Sequence, residues 1–138
     1  MNKQQSGFTL IELIAVIVIL GILAATAVPR FVNLSAAASE AATQGVAGAL
    51  ASASALNKAE EVAEDAGLSG AVSETVANCQ DIAPLLDGIA TYAAFQTTYP
   101  DMDITTLAVA TGASVTCTVV NDGVTPNVSA TFIGYGTD

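Results

Sequence analysis

Residues 7–29 read GFTLIELIAVIVILGILAATAVP, from Gly7 to Pro29, and this stretch decides the fold. Phe8 to Val28 is an apolar run of 21 residues whose only charge is Glu12. At a rise of 1.5 Å per residue a helix of this length spans ~32 Å, about one hydrocarbon core. Lys3 precedes the run and Arg30 follows it, so a cytoplasmic start with an outward remainder rests on few charges.

Three readings compete for the run. Ala25-Thr26-Ala27 has the small-x-small form of a secretory cleavage site, but the run is longer than an h-region and carries a carboxylate near its start. A plain membrane anchor leaves Glu12 unexplained, because a buried acidic group costs roughly 2.5–3.5 kcal/mol at mid-helix and less near the end. In the third reading a protease cuts between Gly7 and Phe8. The new α-amino group of Phe8 in one subunit then neutralises Glu12 of its neighbour as the helices bundle. That pairing offsets the burial of the carboxylate and fixes the axial stagger. Before assembly, Glu12 can snorkel to the headgroups.

The sequence Gly7-Phe8-Thr9-Leu10-Ile11-Glu12, after a short leader containing Lys3, resembles the class III signal of type IV pilins and of type II secretion pseudopilins. The resemblance implies that prepilin peptidase cleaves after Gly7 and N-methylates Phe8. It also implies that Glu12 is the carboxylate of an assembly salt bridge to Phe8. Between Gly21 and Pro29 the helix bends or melts most cheaply, since Gly is a poor helix former and Pro removes a donor. In related pili this stretch is extended in the filament, and a mere kink at the membrane exit is the competing reading. Phe31-Val32-Asn33-Leu34 and the run from Ala42 to Ala49 are similar to the mannose-sensitive haemagglutinin branch, which favours a surface pilus.

Composition narrows the chemistry. Of 138 residues 52% are hydrophobic and 12% charged, with thirteen acidic residues against Lys3, Arg30 and Lys58. A net charge of -10 without a basic cluster argues against binding a phosphate backbone, so no nucleic-acid partner is expected. There is no histidine, and two cysteines are too few for a zinc or iron–sulfur site. Neither a phosphate loop nor a nucleophile elbow is present, so no catalytic residue, cofactor or metal is expected. Glu60, Glu61, Glu64 and Asp65, and likewise Asp101 with Asp103, lack the ligand order of a calcium loop and read as solvated acidic faces. Asn127-Val128-Ser129 matches a glycosylation acceptor triplet.

Beyond Pro29 an Ala-rich tract predicts a continuing helix. On a helical wheel Phe31, Val32, Leu34, Val46, Leu50 and Leu56 share one arc, opposite Asn33, Glu40, Gln44 and Lys58. Glu60 and Glu64 would fall on that arc, so past Lys58 the helix is expected to fray or to leave the core, with an end before Gly67. A short helix ahead of Pro84 carries Val72, Val76, Cys79 and Ile82, and turns are expected at Asp87-Gly88 and Tyr99-Pro100-Asp101. Alternation at Val115, Cys117 and Val119, then at Val128, Ala130 and Phe132, predicts two strands. Asn121-Asp122-Gly123 between them offers positive-φ turn chemistry, and Pro126 belongs at an edge or strand start. In an oxidising compartment Cys79 and Cys117 would close a 39-residue loop as a disulfide; in a cytosolic protein they would be free thiols.

The expected fold class is α+β: a long N-terminal helix on a small antiparallel sheet, as in type IV pilins. The expected segments are a leader over 1–7, a membrane or filament-core helix over 8–28, an amphipathic helix over 29–66 and a globular head over 67–138. The resemblance implies a structural pilus subunit, working in adhesion, motility or biofilm formation. Its implied partners are identical subunits, prepilin peptidase, and a platform and ATPase machinery. It implies an inner-membrane precursor with a cytoplasmic N-terminus and then an extracellular filament. A secretion pseudopilin or minor pilin, and an exported binding domain held by one helix, are the alternatives.

Overall fold

The computed structural model describes residues 8–138, and residues 28–33 in backbone only. The expected leader over 1–7, with Gly7, lies outside the described residues, as do the side chains of Pro29, Phe31 and Val32. The chain divides into two compact units, Met1–Ala37 and Ala38–Asp138. One 56-residue helix, α1 (Leu10–Asp65), contributes to both. A 3-10 helix (Cys79–Leu85), α2 (Tyr92–Thr98) and strands β1 (Met102–Ile104), β2 (Ser114–Asn121) and β3 (Val128–Tyr135) follow. The strands form one antiparallel sheet in the order β1-β2-β3, so the expected α+β class is the class observed.

In the first unit, Leu10–Ala27 is helical, and its large aliphatic side chains are exposed from Leu10 to Leu23. Each such side chain gains ~1.5–3 kcal/mol on leaving water, so this surface belongs against lipid or other helices.

In the second unit α1 buries a stripe of Thr43, Val46, Ala47, Leu50, Ser54, Asn57 and Glu61, which recur at helical spacing along one face. Val46, Ala47 and Leu50 join a core with Ile82, Phe95, Ile104, Cys117, Val119 and Phe132, drawn from the 3-10 helix, α2 and the sheet. The rest of the stripe is polar and finds hydrogen-bond partners. Thr43 Oγ1 accepts from Asn121 Nδ2 at 3.3 Å, and Ser54 Oγ accepts from the Tyr135 N–H at 2.9 Å. Asn57 Nδ2 donates to the Glu74 carbonyl at 2.7 Å and to Thr137 Oγ1 at 3.0 Å. Glu61 Oε1 accepts from the Asp138 N–H at 3.3 Å, and its other oxygen is paired with Lys58. The last residues of β3 and those after it are therefore tied to α1 by side-chain hydrogen bonds as well as by packing.

This arrangement corrects the wheel. Leu56, assigned to the buried arc, is 67% exposed, whereas Glu61 is only 4% exposed. The helix does not fray past Lys58, because Asn57 and Glu61 have partners outside it. It ends in a Schellman turn: Leu68 N–H donates to the Ala63 carbonyl, Gly67 N–H donates to that of Glu64, and Gly67 has φ +76.

Other local expectations also shift. The short helix begins at Cys79, capped by Asn78 with Asp81, and it contains Pro84 instead of stopping before it. Val72 is exposed, while Val76, Cys79 and Ile82 are buried. Strands β2 and β3 follow the expected alternation, with Cys117, Val119 and Phe132 inward. Asn121 pairs with Val128, so residues 122–127 form the connection, and Gly123 is not among the positive-φ glycines. Glycine is needed there for another reason: a Cβ at Gly123 would lie 2.6 Å from Asp101 Cγ. Pro126 sits in this connection, two residues before β3.

Candidate functional site

Thr9 and Glu12 open α1 as a reciprocal cap. Glu12 Oε2 accepts from the Thr9 N–H at 2.8 Å and from Thr9 Oγ1 at 2.7 Å, while the Glu12 N–H donates to Thr9 Oγ1 at 3.3 Å. This is a capping box, which satisfies donors a helix start leaves without partners and sets a negative charge at the positive end of the helix dipole. The Thr-x-x-Glu spacing that signals it is legible in Thr9-Leu10-Ile11-Glu12, and capping is a role of Glu12 beside the expected assembly pairing and snorkelling. Both donors converge on one oxygen, which leaves Oε1 without a protein donor among the described residues.

Phe8, next to this cap, is 93% exposed. The expected salt bridge joins the Phe8 α-amino group of one copy to Glu12 of another, a contact that a single chain does not contain. Gly21 lies within α1 with nothing within 4 Å of the position a Cβ would take, so no packing contact requires a glycine there. Of Pro29 the structure gives its place within α1.

The two cysteines are bonded to each other, with Cα atoms 5.8 Å apart, both fully buried. The bridge ties the 3-10 helix to the middle of β2, and it packs beneath β3 at Gly134. A Cβ on Gly134 would lie 2.7 Å from Ile82 Cδ1 and 2.8 Å from Cys117 Sγ.

Some of the acidic side chains are engaged in the fold, whereas Glu60, Asp65 and Asp101 are exposed as expected of a solvated face. Glu64 Oε2 accepts from the N–H and hydroxyl of Ser73 at 3.2 and 3.1 Å. Asp103 accepts from the Tyr92 hydroxyl, which in turn accepts from the Ile104 N–H at 3.1 Å. Burial, together with Asp103, raises the Tyr92 phenol above its ordinary value. The hydrogen bond from Lys58 holds the Glu61 carboxyl below its ordinary value, against an opposing effect of desolvation. Among the described residues no group of three or more His, Cys, Asp or Glu side chains is placed to hold a metal ion.

Two grooves lie on the second unit. One of about 420 Å³ is lined by Ala55, Lys58, Ala59, Val62 and Tyr135. Another of about 320 Å³ runs past Glu74, Thr75, Asp81 and Pro84, where the Asp81 carboxylate is occupied by the Ala77 and Asn78 N–H groups.

Residues 2–28 match the family described as the prokaryotic N-terminal methylation motif. The chain is similar to the type IV narrow pilus major component PilA5 of Thermus thermophilus, with 55% identity over 53 residues, 38% of this chain and 46% of that protein. It is also similar to the type II secretion system core protein G of Pseudomonas aeruginosa, with 62% identity over 32 residues, 23% of this chain and 22% of that protein. The matched segments thus span less than half the length of these curated relatives. No solved structure matches.

Proposed function

We propose that this chain is the structural subunit of a type IV pilus, made as a precursor and polymerised into a surface filament. The observation that carries the reading is Glu12: one carboxylate in an apolar, exposed helix, within a segment that matches a methylation motif. Cleavage between Gly7 and Phe8 and N-methylation of Phe8 would place an ammonium four residues before that carboxylate. In a bundle of such helices, staggered along the axis, the ammonium of one subunit meets the Glu12 of another. The Thr9 cap keeps Glu12 Oε2 occupied and Oε1 free for this contact.

The apolar surface from Leu10 to Leu23 suits both stages. It lies in the inner membrane in the precursor, with the N-terminus cytoplasmic, and against other helices in the filament. Between Gly21 and Pro29 the helix is cheapest to bend or melt, which allows the filament to lengthen under load. Prepilin peptidase, an assembly platform and an ATPase are the implied partners, and the second unit, repeated along the filament, supplies the surface for adhesion or motility. Similarity to the secretion core protein G favours a second reading as a pseudopilin, over a shorter match than that to the pilus component.

The test is exchange of Glu12 in the native host. Glu12→Leu and Glu12→Gln should leave the subunit in the membrane and lower sheared filaments at least ten-fold. A helix that only anchors a domain would tolerate Glu12→Leu, and filaments at the unaltered level would overturn the reading.

A further inference from the structure

We infer that Asn127 is an N-linked glycosylation site, modified on the exported head by a glycan from a polyprenyl-diphosphate-linked donor. Asn127-Val128-Ser129 has the acceptor pattern, with Val and not Pro between the amide and the hydroxyl. The pattern alone recurs by chance; what distinguishes this triplet is its place in the fold.

Asn127 is exposed at the end of the 122–127 connection, one residue before β3 begins at Val128. Ser129 is exposed as well, whereas Val128 and Ala130 are partly covered. In an extended chain residues i and i+2 share a face, so the amide and the hydroxyl are presented together on the outer side while the intervening valine turns inward. The other asparagines with described side chains are put to structural use. Asn57 binds Glu74 and Thr137; Asn78 caps the 3-10 helix; Asn121 reaches Thr43 and the Gly123 N–H. Of the four asparagines whose side chains are described, Asn127 alone makes no side-chain hydrogen bond. Its amide is free to react, and a substituent there displaces nothing in the core.

The reaction balances without a redox step. A bond forms between Asn127 Nδ2 and the anomeric carbon of the sugar. The bond from that carbon to the donor's phosphate oxygen breaks, and polyprenyl diphosphate leaves. The amide proton passes through a base of the transferase to solvent. The site needs the second unit to be outside the cytoplasm, and to that extent it rests on the proposed function.

The test is peptide mass spectrometry on protein sheared from the surface of the native host, where export is already given. The peptide containing Asn127 should carry a saccharide mass that disappears in Asn127→Gln and Ser129→Ala and returns in Ser129→Thr. Wholly unmodified peptide from filaments would overturn the site while leaving the filament reading intact. A mass that persists in Ser129→Ala, or that maps to a neighbouring hydroxyl, would overturn it too. Asn127→Gln protein should still contain the Cys79–Cys117 bridge, which separates loss of the glycan from loss of the fold.

Discussion

The Asn57 side chain binds both polar groups of Glu74's backbone, donating to its carbonyl at 2.7 Å and accepting from its N–H at 2.8 Å. The Thr137 hydroxyl joins the same node, donating to the Glu74 carbonyl at 2.6 Å and accepting from the Val76 N–H at 3.2 Å. One helical side chain thereby anchors two segments distant in sequence, the one after α1 and the one after β3.

Removing that side chain should be expensive. Asn57→Ala takes the acceptor from the partly buried Glu74 N–H and one of two donors from its carbonyl, which keeps the Thr137 hydroxyl, and an unpaired group of this kind costs about 1–3 kcal/mol. Asn57→Asp keeps the acceptor but loses the donor to Glu74 and Thr137. Urea melts should show both variants destabilised by ~2–4 kcal/mol, with Asp no better than Ala.

Acid should act through Glu61. Its carboxyl is held low in the fold by the Lys58 hydrogen bond, with a further contribution from the Asp138 N–H. A depressed folded value means stability that is present above the unfolded carboxyl pKa of about 4.3 and lost as pH falls through the lower folded value. The stability difference between the native protein and Glu61→Gln, followed by melts from pH 7 to pH 2, should shrink below about pH 4.3. A difference that stays constant across that window would refute the assignment.

Two glycines should respond in opposite directions. Gly134→Ala would force a methyl against Ile82 Cδ1 and Cys117 Sγ, and overpacking of this kind costs about 1–3 kcal/mol. Gly21→Ala meets nothing and should strengthen the helix by ~1 kcal/mol, since only propensity changes. Melting reads the first. The second should give filaments that extend less under the same force in an optical trap.

The disulfide closes a 39-residue loop, counted from Cys79 to Cys117. On the chain-entropy account its loss in a Cys79→Ala, Cys117→Ala double variant should lower stability by ~4 kcal/mol. Folding under reducing conditions should show the same deficit in the unaltered protein.

Much of this fold is legible in local sequence, and its limits are specific. Gly67 ends α1 as expected, because a Schellman turn is written within six residues. Strands β2 and β3 are legible because Val115, Cys117 and Val119, then Val128, Ala130 and Phe132, turn inward at a period of two, with Asn121 the buried polar exception. The buried face of α1 is half hidden for the opposite reason. Thr43, Ser54, Asn57 and Glu61 are buried by partners 17 to 81 residues away, which no hydrophobic period reveals. Leu56 looks like a core residue and faces out. Helix α2 is only seven residues and β1 only three, so neither carries a usable period, and β1 is defined by its pairing to β2. At the candidate site the Glu12 carboxylate stands out by charge alone, whereas its bond to Thr9 is a local capping signal overshadowed by the membrane question.

The central claim is tested most directly by mass spectrometry of the mature N-terminus of protein sheared from the cell surface. The account predicts a chain that begins at N-methylated Phe8 and is abundant in the filaments. A chain beginning at Val28 would show that an ordinary signal peptide had been removed together with Glu12, and would contradict it.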